Sequence, residues 1–247
     1  MKFKVNGDSL VGRYRKIDYV YKQNSLNLFI LHKDFNKVIE AYSTTQARKL
    51  RYYHDLSHVV DLLIESENYT VYVYPGVSTF SRAYIERQAL YLAILYHDVV
   101  YDFKKGSPYN EEESAKLFRK HAENMKTISS KKLNAEALCR IDEIYNLAEK
   151  AILATAKPFI DHNCELSNFL CAIDLQGFVN YDVMVKNSTL IRLEHSHLTD
   201  EQFKENSIKF LEFMLSHPKI IHSRFYPEWE QRIRENVTHY LAELKGN

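Results

Sequence analysis

Glycine and proline are scarce in this sequence, with 6 glycines and 5 prolines among 247 residues. An average protein devotes roughly 12% of its residues to these two types, and this chain falls far below that share. Folds built from many short strands need such residues at their frequent turns. The scarcity therefore favours long helices with short connections, and we predict an all-α protein that forms a single helical bundle.

A charge excess of either sign is also missing, because 33 basic residues oppose 32 acidic ones and leave a net charge of +1. This balance gives no electrostatic footprint for a nucleic-acid duplex or a membrane, so we expect neither as a partner. No apolar run approaches the roughly 20 residues that cross a bilayer. The sequence contains no GxGxxG, P-loop, GxSxG or HExxH motif. Dinucleotide-binding, P-loop NTPase, serine hydrolase and zincin functions are thereby disfavoured.

The three cysteines, Cys139, Cys164 and Cys171, are odd in number and show no CxxC spacing. This pattern is typical of reduced thiols rather than of a disulfide framework or a zinc site. The first 20 residues lack the apolar segment of 7–15 residues found in a signal peptide. Together these features predict a cytoplasmic protein.

Hydrophobic periodicity predicts helices from about residue 34 onward. Phe35, Val38, Ile39 and Tyr42 follow the i, i+3, i+4, i+7 spacing of one helical face. Residues 86–98 are apolar almost all round, which predicts a helix at the centre of the fold. Six further helices are predicted. Four are identified by where they begin, namely near Leu56, at the N-cap Asn110, after Asp200 and at Pro227, and two by their spans, 134–157 and 166–179.

Two segments lack this periodicity. Residues 1–30 contain glycines, tyrosines and short apolar pairs, and we predict an extended arm or a small hairpin there. Residues 68–79 are β-branched and aromatic and include a Pro-Gly pair, which predicts a loop or a short irregular excursion.

The eleven histidines are mostly expected to be ordinary polar residues, but His54 and His58 are four residues apart. On a helix this spacing places both imidazoles on one face. There they would bind one divalent metal, or one would bind the metal while the other contacts a ligand. The alternative is a pair of partly exposed polar residues without a function.

A second candidate pair, His97 and Asp98, ends the apolar segment LAILYHD. A histidine and an aspartate at the end of a buried helix are costly unless they are paired or bound to a cation. Asp174 is likewise flanked by apolar residues and needs a cation or several hydrogen-bond donors. The alternatives are a water-exposed polar pair for His97 and Asp98, and a helix cap or an arginine pair for Asp174.

A mixed site of imidazoles and carboxylates suits Mn, Fe, Co, Ni or Zn, and tolerates Mg less readily. Such a divalent metal ion lowers the pKa of bound water toward neutrality and so produces a hydroxide nucleophile. The spacing of these residues therefore predicts a metal-dependent hydrolytic site.

Several segments taken in order resemble the HD superfamily: YYHDLSHVVDLL, AILYHDVVYD, NEEESA, ILATAK and AIDL. They are most similar to its branch of predicted metal-dependent HD phosphohydrolases, which is distantly similar to cyclic-nucleotide phosphodiesterases. The order of the segments carries the resemblance, since the HD dipeptide alone also occurs at His54–Asp55. The resemblance implies an HD-type domain over residues 34–247, preceded by an N-terminal extension of residues 1–33.

The resemblance also implies roles for individual residues. The metal ligands would be His58, His97, Asp98 and Asp174. His54 resembles the histidine that protonates the leaving oxygen in the related phosphodiesterases.

Further implied positions surround these ligands. Glu111, in the NE-x2-SA segment with Asn110 and Ser114, would hold the metal-bound water or a second metal. Lys157, with Thr155, would donate to phosphate oxygens. Three other sets are candidates: Asp102 as a support for the ligands, Arg192 of an R-x-E motif as a substrate contact or a helix brace, and Tyr53, Tyr96 and Tyr101 as residues lining the site.

The sequence departs from the family pattern at three places. Asp55 replaces the usual Asn after the helix histidine, and Ala172 replaces the first Asp of D-x-DL. Lys157–Pro158 stands where relatives often have a histidine. These changes weaken the case for a second metal and leave the four primary ligands in place.

The remaining histidines are expected to be structural. His195 and His197 are predicted in a polar loop before Asp200. The others are expected on the surface or at helix caps: His32, His121, His217, His222 and His239.

We therefore expect a metal-dependent phosphohydrolase with one or two divalent ions per chain. Its substrate would be a small phosphorylated compound, a nucleotide above all, and a homodimer is left open. One alternative is a catalytically weak HD-fold module that binds a nucleotide or a metal and regulates. Another is a metal-dependent hydrolase or oxygenase with di-iron chemistry that acts on something other than phosphate.

Overall fold

The computed structural model describes residues 10–23, 25–43, 51–73 and 82–246. Within these ranges every regular element is a helix and no strand occurs, which confirms the all-α prediction. None of the described helices combines the length and the apolar character that crossing a membrane requires.

The described part of the chain contains ten α-helices and two 3₁₀ helices. The α-helices are α1 (Leu10–Gln23), α2 (His32–Tyr42), α3 (Leu56–Val73), α4 (Arg82–Tyr96), α5 (Tyr109–Ser129), α6 (Ala135–Ala154), α7 (Glu165–Asp174), α8 (Tyr181–Glu194), α9 (Asp200–Ser216) and α10 (Trp229–Lys245). The 3₁₀ helices are Leu26–Leu28 and Gln176–Val179.

Helix α4 forms the centre of the bundle. Its residues 89–96 are all buried, and it packs against α3, α5, α6 and α7. A helix that is apolar on every side needs such an enclosed position, as the sequence predicts. Because α4 ends at Tyr96, the next two residues, His97 and Asp98, lie in a buried turn at the middle of the molecule.

The N-terminal segment differs from the predicted arm or hairpin. Residues 10–23 form helix α1, in which Ile17, Val20 and Tyr21 are buried in the same core as the later helices. Their i, i+3, i+4 spacing gives α1 an apolar stripe, and the helix contacts α3. The predicted extension of residues 1–33 thus joins the main core over its described part, while residues 1–9 lie outside the described residues.

Helix α3 extends through Val73, so residues 68–73 are helical rather than the predicted loop. Tyr69 is only 2% exposed and its hydroxyl donates to Glu86 Oε2 at 2.8 Å. Its ring also lies 4.7 Å from that of Phe169. This packing outweighs the weak helix propensity of β-branched and aromatic residues. Residues 74–79 of the predicted loop lie outside the described residues.

Helix ends were predicted less well. Asn110 lies inside α5, after the N-cap Pro108, and its Oδ1 accepts from the backbone N–H of Asp102 at 2.8 Å. Its side chain is therefore used by the preceding loop and not as the predicted cap. Helix α10 begins at Trp229, two residues after the predicted start at Pro227, which is within the usual variation of helix ends.

The predicted helix over 166–179 is divided after Asp174, where a 3₁₀ turn follows. Helix α8 was not predicted at all. It begins where the Asn180 side chain accepts from the backbone N–H of Val183. This division leaves Asp174 at an accessible helix end instead of in the middle of a longer helix.

Candidate metal centre

Three separate segments bring potential metal ligands to one point. His58 lies in the first turn of α3, His97 and Asp98 lie in the turn after α4, and Asp174 is the last residue of α7. Helix α7 packs against both α3 and α4. One donor atom each from His58, His97 and Asp174 lies within 4.8 Å of the others. The described residues therefore include a cluster that is able to hold a metal ion.

The distances between these donor atoms suit a common metal. His58 Nε2 lies 2.9 Å from Asp174 Oδ1 and 3.3 Å from His97 Nε2. Asp98 Oδ2 lies 3.1 Å from His97 Nε2 and 3.9 Å from His58 Nε2. Ligands that bind one ion at about 2.0–2.2 Å are separated from each other by roughly 3 Å. All four sequence-predicted ligands are thus brought together, and the longest of these separations is the one between Asp98 and His58.

The ring of His97 is held in the orientation that a ligand needs. Its Nδ1 lies 2.9 Å from the carbonyl oxygen of Ile94, so Nδ1 carries the proton and donates it there. Nε2 is then left to face the cluster. Metal-binding histidines ordinarily use their second nitrogen in this way.

The cluster combines opposite charges in a buried setting. Burial alone would raise the pKa of Asp98, but the neighbouring His97 lowers it to about 2. Burial would lower the pKa of His97, but Asp98 and Asp174 together hold it well above its ordinary value. The pKa of Asp174 is likewise lowered by His58 and His97 against the effect of burial. The proton that His97 retains through its raised pKa balances the carboxylates here, and a bound cation would replace it.

The pH dependence of stability follows from these shifts. A raised His97 pKa stabilises the folded state fully below the ordinary value of 6.5, and this contribution is lost as the pH rises through the raised pKa. We expect the melting temperature of chelator-treated protein to fall as the pH rises above the ordinary histidine value of 6.5, and we expect added Mn²⁺ to restore more stability at the higher pH. Thermal unfolding with chelator and with Mn²⁺ measures both effects. A melting temperature that rises with pH after chelation would contradict this assignment, and His97→Asn is the control that should flatten the curve.

His54 lies beside the cluster and is paired with a buried carboxylate. It sits in the turn before α3, not on the helix itself, and its ring centroid is 6.0 Å from that of His58. Its Nδ1 is 2.7 Å from Glu194 Oε2, and its ring stacks on Tyr101 with centroids 4.0 Å apart. The carboxylate orients the imidazole, so that Nε2 is the nitrogen available to another molecule.

Glu194 was missed as a site residue. Its side chain is fully buried, and its Oε1 accepts from the backbone N–H groups of Tyr52, Tyr53 and His54 at 2.8, 2.8 and 3.0 Å. Burial alone would raise its pKa, but the bonds to His54 and to these N–H groups lower it. The signal was present in the sequence, because Glu194 is the glutamate of the R-x-E motif from which only Arg192 was selected.

Arg192 itself acts as a brace. Its guanidinium donates to Asp200 Oδ1 and to the carbonyl oxygens of His195 and Leu198. These bonds fix the connection between α8 and α9. Of the two roles considered for Arg192, the contacts favour bracing of helices.

Arg51 was also missed and connects two parts of the site. It is 5% exposed, and it donates to the carbonyl oxygens of Asp98 at 2.7 Å and Val99 at 2.9 Å. A third bond reaches the carbonyl oxygen of His54 at 3.3 Å. Arg51 thereby ties the His97–Asp98 turn to the segment that carries His54. An arginine outside any periodic pattern gives no sequence signal for this role.

Glu111 is near enough to the cluster for the charges of Asp98 and Asp174 to act on it. Its Oε2 is buried and has no hydrogen-bond partner within the described ranges. Burial raises the pKa of Glu111, hydrogen bonds from its own backbone and from Ser107 lower it in part, and the charges of Asp98 and Asp174 raise it again. This oxygen is the kind of acceptor that a water or a cation at the cluster would satisfy.

Lys157, predicted to contact phosphate, is exposed, and its backbone carbonyl lies 3.0 Å from His162 Nε2. The Thr155 hydroxyl donates to the carbonyl oxygen of Ile152 at the end of α6. Asp102 Oδ1 accepts from the backbone N–H of Lys104 and shapes the loop after α4. None of these three contacts involves the four proposed ligands, and the proposed roles of Lys157, Thr155 and Asp102 stay predictions.

The three candidate tyrosines separate into two groups. Tyr53 lies 5.1 Å from the ring of His58, and Tyr101 stacks on His54. Tyr96 instead points into the core, where its hydroxyl lies 2.8 Å from His121 Nδ1. His121 is 4% exposed, so the prediction of a surface or capping role for it is wrong. Its imidazole is accommodated in the core because Tyr96 provides a hydrogen-bond partner.

A cavity of about 430 Å³ adjoins the cluster on the side of His54. Tyr53, His54 and Tyr101 form the wall nearest the cluster, and most of the remaining lining comes from α8 and α9. His195 also lines the cavity. It is half-buried at the end of α8, with its ring 5.9 Å from that of Phe203, rather than in a wholly polar loop.

Comparison of the chain with family models, with curated proteins and with solved structures gave no match. What the described residues establish is therefore an all-helical bundle with a His/Asp group that could hold a metal ion.

Proposed function

We propose that this protein is a metal-dependent phosphohydrolase of the HD type that hydrolyses a phosphoester. The observation that carries the proposal is the convergence of His58, His97, Asp98 and Asp174 from three segments distant in sequence. Two imidazoles and two carboxylates in a largely buried position are costly unless they pair with one another or with a cation, and one divalent cation would serve all four groups at once.

The same four residues would hold the metal ion. Their nitrogen and oxygen donors suit a transition metal such as Mn, Fe, Co, Ni or Zn better than Mg. When bound, the ion supplies an activated water and offsets charge on the phosphoryl oxygens.

His54 would protonate the leaving oxygen. Because Glu194 occupies its Nδ1, the proton that can move to a substrate is the one on Nε2. Glu111 would orient the attacking water through its unpartnered buried oxygen. The two groups would thus divide the proton transfers, one on the side of the leaving group and one on the side of the nucleophile.

Two of the three departures from the HD pattern, Asp55 and Ala172, bear on the number of metal ions. Asp55 Oδ2 lies 3.2 Å from Arg13 Nη1, and its Oδ1 accepts from the backbone N–H of Ser57 at the start of α3. Ala172 is 1% exposed within α7 and brings no carboxylate to the site. Asp55 is thus used in the fold, and a second ion would lack one ligand at position 172. We therefore propose one ion per chain.

A metal and substrate panel tests the proposal. The protein is stripped with a chelator, reconstituted separately with Mn, Fe(II), Co, Ni, Zn and Mg, and assayed for bound metal and for phosphate release from a range of phosphoesters. We expect about one ion per chain and turnover with at least one transition metal. Tight binding of metal and nucleotide without any product would favour the regulatory module instead. Two ions per chain would favour the di-iron alternative.

A further inference from the structure

The cavity beside His54 has an unusual lining for a site that receives phosphorylated compounds. No lysine, arginine, aspartate or glutamate lines it in the part of the chain that the structure describes. Its wall consists of aromatic and aliphatic side chains with a few amides, hydroxyls and histidines. Its volume of about 430 Å³ falls within the range of small-molecule sites.

The cavity lies on the side of the cluster where His54, the proposed proton donor to the leaving group, is found. His54 and Tyr53 line the cavity and also adjoin His58, whose ring lies 6.0 Å from that of His54 and 5.1 Å from that of Tyr53. The cavity therefore begins where the proposed proton donor stands. A group leaving toward His54 would extend into this space, whereas the phosphoryl group would stay at the ligand cluster.

We propose that the cavity receives the leaving group of the phosphoester, and that this group is an uncharged heteroaromatic alcohol such as a nucleoside. The inference rests on the proposed phosphohydrolase function. Water adds to phosphorus, and the bond between phosphorus and the leaving oxygen breaks. The leaving oxygen takes the His54 proton while the water releases one to Glu111 or to solvent. The products are inorganic phosphate and the neutral alcohol.

The absence of lysine and arginine from the described wall disfavours a charged leaving group. A nucleoside triphosphate or pyrophosphate would place a phosphate anion against apolar side chains, where no described lysine or arginine compensates its lost hydration. A nucleoside monophosphate avoids this cost, because its only phosphate is the one transferred at the cluster.

The polar groups of the cavity favour a heteroaromatic group over a lipid chain. Asn187 lines the cavity, and its side chain has no hydrogen-bond partner among the described residues. It lies so close to the backbone of Gly177 that a Cβ at that glycine would be 2.6 Å from Asn187 Nδ2. An amide offers one acceptor and two donors to the edge of a base. A lipid chain would leave the amide unpaired, which disfavours that ligand.

A cavity-filling variant tests this assignment. Ser207 lines the cavity from α9, away from the metal ligands, and Ser207→Trp would fill part of the space. Glu205→Trp places the same side chain at an exposed position of the same helix and is the matched control. Ser207→Leu is the smaller replacement if the tryptophan variant fails to fold. Metal content and melting temperature show that each variant retains its structure.

The measurements are kcat/KM for AMP, GMP, CMP and UMP, for ATP and pyrophosphate, and for a lysophosphatidate, together with binding of the free nucleosides. We expect at least about tenfold higher kcat/KM for the best monophosphate than for ATP or pyrophosphate, and about tenfold weaker nucleoside binding in Ser207→Trp than in Glu205→Trp.

The outcomes separate the two proposals. Phosphoester turnover with a preference for ATP, pyrophosphate or lysophosphatidate would overturn the cavity assignment and leave the phosphohydrolase proposal standing. Equal nucleoside binding by the two tryptophan variants, or no nucleoside binding by the wild-type protein, would also overturn it. Nucleoside binding that Ser207→Trp weakens, without turnover of any phosphoester, would support the ligand class and overturn the phosphohydrolase proposal.

Discussion

Replacement of His97 by alanine is expected to remove metal binding and turnover together. His97 is 1% exposed, and its Nε2 faces His58, Asp98 and Asp174, so alanine removes a nitrogen that points at the other three proposed ligands. We expect metal affinity to fall by more than about 100-fold. Loss of a residue that only hydrogen-bonds to a metal ligand already lowers metal affinity by about 10–100-fold, and loss of the ligand itself should cost more. Turnover should fall by about 10³-fold, because the metal contribution is worth several kcal/mol and each 1.36 kcal/mol is a factor of ten.

Metal content after dialysis and initial rates at saturating metal measure these two effects. His121→Ala is the matched control, since it removes another buried imidazole, 4% exposed, that contacts Tyr96 instead of the cluster. We expect His121→Ala to retain its metal and its rate. Full activity in His97→Ala would refute the proposed metal centre, and equal losses of metal in both variants would indicate damage to the core instead.

Glu194→Gln is expected to lower kcat by about 100-fold while metal content stays unchanged, which is the scale of a lost proton donor. The glutamine oxygen would still accept the hydrogen bonds that Glu194 Oε1 now accepts from the backbone N–H groups of Tyr52, Tyr53 and His54. Its amide group would then face His54 Nδ1 and disfavour the protonated ring. KM should change little, because the substituted group does not line the cavity.

Two comparisons distinguish this role of Glu194 from a purely structural one. Glu230→Gln is the matched control, because Glu230 Oε2 also accepts from backbone N–H groups, those of Ile220 and Ile221, away from the site. Leaving-group dependence is the second comparison. An aryl phosphate with an acidic leaving group needs little protonation, so Glu194→Gln should impair its hydrolysis less than that of an alkyl phosphate. Equal losses for both substrates, accompanied by a lower melting temperature, would contradict the proton-donor role of His54.

The sequence was most informative where one segment carried its own signal. The continuous apolar run before His97 identified the central helix, and apolar flanks identified Asp174 as a residue in need of a partner. Three of the four proposed ligands, His97, Asp98 and Asp174, were selected partly for this reason, and His58 was selected from its spacing to His54 and from the order of the family-like segments. All four come from segments whose burial is encoded locally, although their meeting point depends on the packing of α3, α4 and α7.

Residues that act through contacts distant in sequence were found less well. Glu194 reaches His54 across 140 positions, and Arg51 reaches Asp98 across 47. Neither pairing leaves a periodic trace in the sequence. Lys157 was selected only by its place in a motif, and because it is exposed and contacts none of the proposed ligands in the structure, its phosphate contact stays a prediction.

Most of the cavity wall belongs to residues 177–240, whereas the four ligands lie between residues 58 and 174. The part of the chain that would choose the compound is therefore largely distinct from the part that would hold the metal. Selection experiments for new specificity should accordingly concentrate on α8 and α9. Libraries restricted to cavity-lining positions there would vary the accepted alcohol while every ligand of the metal centre keeps its wild-type identity.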